Sequence, residues 1–140
     1  VFKTPIMGQA MRLTGQIAID RPNREQSIAS LSAAAEKIAA GRTVLVFPEG
    51  TRSVGGELGP FKKGGFMLAL ESGAPIIPVG LSGTRALVPR GTWMYRPARV
   101  GIVVGKPIET QGMTFEDRDA LMERVRDAIT RAQDKANTIR

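Results

Sequence analysis

Apolar and polar positions along this chain fall into blocks whose spacing switches between the strand period and the helix period, which predicts an α/β fold with a mixed, largely parallel sheet flanked by helices. Pro5 to Leu13 reads as a short apolar helix and Gln16 to Ile19 as a strand. Asn23 is an N-cap with Gln26 three residues on, and Ile28, Leu31, Ala35, Ile38 and Ala39 share one face of a helix that Gly41 ends. Thr43 to Phe47 is uniformly apolar, which places a strand in the middle of the sheet. Ser53 to Pro60, with Gly55-Gly56 as its turn, holds no core-forming run and is expected to be a mobile loop. A helix then opens at Phe61-Lys62-Lys63-Gly64-Gly65 and runs to about Ser72, closed by Gly73 and Pro75. Ile76 to Leu81 is a further buried strand in which Pro78 cannot donate to a ladder, so a bulge or a strand end is expected there. Val100 to Val104 forms another strand, ended by Gly105-Lys106-Pro107. The last helix begins around Thr114 with Asp117 as capping partner and sets Leu121, Val125, Ala128, Ile129 and Ala132 on one face, its charged side reading as solvated surface.

Composition bounds the chemistry. With 140 residues and 42% hydrophobic content the chain can bury a real core, and residues 1–140 read as one domain. It has no cysteine and no histidine, which excludes disulfides and thiolate chemistry and argues against a transition-metal site. No stretch approaches ~18 continuous apolar residues, so membrane association through these residues is peripheral. The net charge of +7 calls for an anionic partner. That charge is uneven: no acid lies between Ser72 and Ile108, whereas Arg85, Arg90, Arg96, Arg99 and Lys106 do, with Trp93, Met94 and Tyr95 among them. Basic residues around interfacial aromatics suit an anionic bilayer surface, and a solvent-facing loop with Trp93 tucked into the core suits the same residues. Nucleic acid is the weaker reading, for no binding motif is present and the aromatics form no stacking series.

The candidate chemistry lies where Val44-Leu45-Val46-Phe47 runs into Pro48-Glu49-Gly50-Thr51-Arg52-Ser53. Ligands bind in the crevice beyond the carboxyl ends of strands in α/β sheets. Gly50 permits close backbone approach, Thr51 offers a hydroxyl, and Arg52 offers a planar fork for phosphate or carboxylate. Glu49 would repel an anion unless it holds the arginine or accepts a hydrogen bond from a substrate hydroxyl. Read plainly, Glu49 and Arg52 form a surface pair on a polar turn. Lys62 and Lys63 at a helix start oppose the macrodipole, which is costly without an anion nearby, though lysines commonly point into water. Asp20-Arg21 ends a strand as a turn pair or as a second cationic contact.

Phe47-Pro48-Glu49-Gly50-Thr51-Arg52-Ser53 resembles the phosphate-binding signature of the membrane glycerolipid acyltransferases, typified by 1-acyl-glycerol-3-phosphate (lysophosphatidate) acyltransferase. Gly15-Gln16-Ile17-Ala18-Ile19-Asp20-Arg21 is similar to the block that precedes it in that family, and Ile77-Pro78-Val79 to the one that follows, in family order. Ala18 departs from the larger residue common there. The resemblance implies acyl transfer from an acyl-CoA or acyl carrier protein thioester to the free hydroxyl of a lysophosphatidate-like lipid, forming phosphatidic acid, with no further cofactor. It implies membrane association at the cytoplasmic face of the inner membrane. It assigns Arg21, Glu49, Gly50, Thr51, Arg52 and Lys63 to the acceptor phosphate end, and Asp20, Lys62 and Pro78 to the acceptor cleft. The family's His-x4-Asp catalytic block has no counterpart among these residues, so the chain is expected to be a fragment truncated before it and inactive alone. The alternative is a non-catalytic module that binds lipid phosphate or an anionic membrane.

Overall fold

A computed structural model describes residues 33–51, 57–87 and 96–140. The chain divides into two compact units, Val1–Leu45 and Val46–Arg140, each taken by itself below. The expected elements before residue 33, together with Asp20, Arg21, Arg52, Arg90, Trp93, Met94 and Tyr95, lie outside the described residues.

In the first unit residues 33–39 are helical. Ala34 and Ala35 are buried. Gly41 closes the helix with φ 89°. Its N–H donates to the Ile38 carbonyl at 2.8 Å, and the Arg42 N–H donates to that of Lys37 at 3.1 Å. That pair of bonds is the Schellman closure, and it needs a left-handed residue at its centre. Beyond it, residues 42–47 pair with no strand among the described residues. Leu45 is 76% exposed and Phe47 65%. The central strand expected over 43–47 is therefore not formed. A uniformly apolar run can be buried, but burial also requires a neighbouring strand, and composition alone does not supply one.

The second unit is built on its C-terminal helix, Arg118–Ile139. Thr114 and Asp117 set its start through a 3-10 turn, Phe115–Asp117. The Thr114 N–H donates to the Asp117 carboxylate at 2.7 Å and the Thr114 hydroxyl to the same oxygen at 3.1 Å. Leu121, Val125, Ala132 and Ala136 are buried along one face, close to the expected stripe. Leu121 and Val125 join Phe61, Phe66 and Leu70 in the core, with Leu58, Ile76, Ile108, Met113, Met122 and Ile129 packed around them. Complete burial of a side chain such as Leu121 contributes ~1.5–3 kcal/mol.

Strand β1 (Val79–Ser82) pairs antiparallel with β2 (Gly101–Val104), Val79 opposite Val104 and Ser82 opposite Gly101. The parallel character expected of the sheet is thus not carried by these two strands. Small residues bring the pair down onto the C-terminal helix. A Cβ on Gly80 would collide with the backbone of Ala132 and Gln133, and one on Gly101 with the Ala136 carbonyl. The Ser82 hydroxyl donates to the same Ala136 carbonyl at 2.8 Å. On the opposite face Ile102 and Val104 are exposed.

Pro78 interrupts the ladder as expected. Ile76 bridges Ile108 and Val79 pairs with Val104, so two residues on one side oppose three on the other, which is a bulge. The buried Pro78 accepts from the Gly105 N–H at 2.8 Å through its carbonyl and needs to donate nothing.

Candidate functional site

The motif turn is local chemistry. Pro48 takes the second position of a β-turn, where its fixed φ fits, and the Gly50 N–H donates to the Phe47 carbonyl at 3.0 Å. Gly50 continues the chain at φ 68°, a conformation in which a side chain is strained. Thr51 is exposed.

A second set of contacts lays this turn against the start of the next helix, Gly64–Ser72. The Pro48 carbonyl accepts from the Lys62 N–H at 2.7 Å. Val46 approaches Gly65 so closely that a Cβ there would lie 2.9 Å from the valine Cγ1. The absence of a side chain at Gly65 lets the incoming valine sit this close without shifting. Glu49, Gly50, Thr51, Lys62 and Lys63 are thereby brought to one turn-helix junction. Lys63 is the N-cap, with no side-chain cap of its own and no acid in the helix's first turn. Both lysines are exposed. Gly73, at φ 64°, ends the helix where the sequence predicts.

Glu49 has a backbone partner that the sequence does not foretell. Its Oε2 accepts from the Gly59 N–H at 2.8 Å, so the acid of the motif fastens the far end of the loop that follows it. The fit is tight, since a Cβ on Gly59 would lie 3.0 Å from that oxygen. The end of the loop, expected to be mobile, is held instead, and Leu58 packs against the core. The Arg126 guanidinium reinforces it. Nη2 donates to the Gly59 carbonyl at 3.0 Å and Nη1 to that of Leu58 at 3.4 Å. The guanidinium also lies 4.1 Å above the centroid of Phe61, whose ring stacks on Phe66. From sequence Arg126 reads as part of the helix's solvated face. The missed signal is position: Arg126 stands four residues after Met122 and three before Ile129, on the border of the apolar stripe.

The electrostatics near Lys63 come from the other helix. The Asp119 carboxyl is held below its ordinary value by the hydrogen bond from Arg118, with the charges of Arg118 and Lys63 acting in the same direction. Arg118 and Asp119 form an ion pair at 2.9 Å. Lys63 thus has an anion in its surroundings already, which eases but does not remove its conflict with the helix dipole.

The Acyltransferase family model matches residues 1–82. The chain is 37% identical over 109 residues to the chloroplastic 1-acyl-sn-glycerol-3-phosphate acyltransferase of Brassica napus, covering 77% of this chain and 32% of that protein. It is 34% identical over 123 residues to 1-acyl-sn-glycerol-3-phosphate acyltransferase alpha of Homo sapiens, covering 87% of this chain and 44% of that one. Among solved structures, the 1-acyl-sn-glycerophosphate acyltransferase PlsC of Thermotoga maritima aligns with a TM-score of 0.78 and 30% identity, over 96% of this chain and 53% of its own. The chain therefore spans about half of that structure and less than half of each curated relative named here. The α/β architecture read from the sequence agrees with this likeness.

Proposed function

Because this chain belongs to the acyltransferase family, we propose that it forms the acceptor-binding part of an enzyme that acylates lysophosphatidate. The observation that carries this reading is the junction in which the Pro48 carbonyl joins the Lys62 N–H at 2.7 Å and Glu49 holds Gly59. Together these fix the turn that leads into Arg52 beside a helix start bearing two lysines. An anion there meets backbone N–H groups at a helix start and the two ammonium groups, an arrangement suited to a phosphomonoester.

In this reading Arg21, Thr51, Arg52 and Lys63 hold the acceptor phosphate, Gly50 gives the turn its shape, and Glu49 supports the loop. Asp20, Lys62 and Pro78 border the acceptor. The acyl group comes from a coenzyme A or acyl carrier protein thioester, and a base deprotonates the acceptor hydroxyl. These 140 residues contain no histidine, so a histidine base lies outside them and the chain alone transfers no acyl group. Among the described residues no helix is long and apolar enough to cross a membrane. Exposed Arg96, Arg99 and Lys106 suit contact with an anionic bilayer at the cytoplasmic face. The test is acceptor kinetics in the protein that contains this chain. Arg52→Ala lowers kcat/KM for lysophosphatidate by roughly tenfold to a hundredfold, the loss of charge-assisted bonds, and Arg52→Lys rescues it poorly. Unchanged efficiency in Arg52→Ala would return the motif to a surface turn.

A further inference from the structure

We infer that Arg126, on the C-terminal helix, is a positioning residue for the phosphate site, acting through Gly59 and Glu49 on the motif turn. The inference rests on the acyltransferase reading above and adds to it a residue outside all three motif blocks.

The geometry is a relay. Gly59 is gripped on both of its backbone polar groups, its carbonyl by Arg126 Nη2 at 3.0 Å and its N–H by Glu49 Oε2 at 2.8 Å. Glu49 is bonded in sequence to Gly50 and stands two residues before Thr51. On the other side of Gly59, Phe61 lies under the guanidinium, and the next residue, Lys62, donates its N–H to the Pro48 carbonyl at 2.7 Å. Arg126 therefore bears on the segment 58–61, which is tied to the motif turn at Glu49 through Gly59 and, through the adjoining Lys62, at Pro48.

The contacts require arginine. Its planar, delocalised cation stacks on a ring face while its edge donates to two carbonyls, and an ammonium cannot do both. Among the described residues Arg126 makes no ion pair, so its charge is directed at loop carbonyls and an aromatic ring. The apolar core of Phe61, Phe66, Leu70, Leu121 and Val125 is complete without the guanidinium. Ordering so long a side chain costs rotamer entropy, which these contacts must offset. Packing alone does not call for that, whereas a loop that sets the height of Glu49 and the approach of Lys62 and Lys63 does.

The test is steady-state kinetics on the protein that contains this chain, with lysophosphatidate and acyl-CoA varied separately, plus amide exchange at Gly59. Arg126→Met, which keeps the stem and loses the fork, raises the acceptor KM by about tenfold, a loss of ~1.4 kcal/mol, with the acyl-CoA KM unchanged and kcat within about twofold. Arg126→Lys falls near Arg126→Met, and both speed exchange of the Gly59 amide. Because Arg126 and Glu49 act on one residue, Glu49→Gln combined with Arg126→Met is little worse than the more severe single variant. If Arg126→Met melts too low to assay, Arg126→Lys carries the same comparison. An active wild type whose acceptor KM is unmoved in these variants, or whose double variant is additive, overturns the inference alone. A wild type that acylates no phosphate-bearing acceptor overturns the functional reading and the inference with it.

Discussion

Glu49 and Gly59 are ten residues apart in sequence and joined by a 2.8 Å hydrogen bond from the glycine N–H to the carboxylate. An acid inside a phosphate-binding motif is puzzling while it is imagined facing the ligand. One oxygen of that carboxylate is taken instead by the backbone of the loop that follows. That bond ties Gly59 to Glu49, and a second, from the Lys62 N–H to the Pro48 carbonyl, ties the helix start to the same turn.

Glu49→Ala is accordingly expected to destabilise the fold as well as weaken acceptor use. Loss of a part-buried, charge-assisted bond costs ~1.5–3 kcal/mol. Glu49→Gln keeps an acceptor oxygen and recovers part of it. Denaturant titration checks this, and a Glu49→Ala variant of unchanged stability would show that the carboxylate does not hold the loop.

Gly80→Ala tests the contact between sheet and helix. The added methyl meets Ala132 and Gln133 backbone, which has no flexible end to move aside. Overpacking of this kind costs ~1–3 kcal/mol. The reduced entropy of the unfolded chain offsets only ~0.4–1 kcal/mol of that. The midpoint of urea unfolding should therefore fall, with acceptor specificity retained in the folded fraction.

Lys63→Gln separates stability from function. Removing a cation from a helix start relieves an unfavourable dipole interaction of ~0.3–1 kcal/mol, less what Lys63 gains from Asp119. The variant should melt no lower than wild type and yet use lysophosphatidate less well. Thermal melts beside acceptor kinetics decide it, and lost stability with unaltered kinetics would make Lys63 a structural partner of Asp119.

Acid sensitivity follows from the start of the C-terminal helix. Asp117 is lowered from 3.8 chiefly by the Thr114 N–H, and Asp119 chiefly by the hydrogen bond from Arg118. A depressed folded-state value means that the folded form binds its proton less readily than the unfolded form. Both groups therefore contribute their stability above about 3.8 and lose it as pH falls through their lower folded values. Unfolding measured between about pH 2 and 5 should show stability falling with acid, and Asp117→Asn should flatten that slope.

The sequence was legible where its signals are local. Gly73 ends its helix because it alone takes φ 64° readily there, and Asp117 marks the last helix because its carboxylate reaches back three residues. Pro78 foretold a bulge because its missing donor is a property of the residue itself. Thr43 to Phe47 reads as a buried strand and forms none, because burial of a strand depends on partners that no window of sequence contains. Arg126 was hidden for a related reason. A charge on a helix reads as solvent-facing until the loop packed on it is known, and that loop is 67 residues away. Asp20, Arg21 and Arg52 lie outside the described residues, and their proposed roles rest on the family likeness.

The most direct test of the account compares lysophosphatidate with the matching 1-acylglycerol, which keeps the reactive hydroxyl and lacks the phosphate, as acceptors for the protein that contains this chain. A site built around the phosphate loses its charge-assisted contacts when the phosphate is missing, so kcat/KM should favour lysophosphatidate by roughly two orders of magnitude. Arg52→Ala should draw that ratio towards one. Equal efficiency on the two acceptors in the wild-type protein would contradict the account, because the turn at Pro48 to Thr51 and the lysines at the helix start would then have no phosphate to bind.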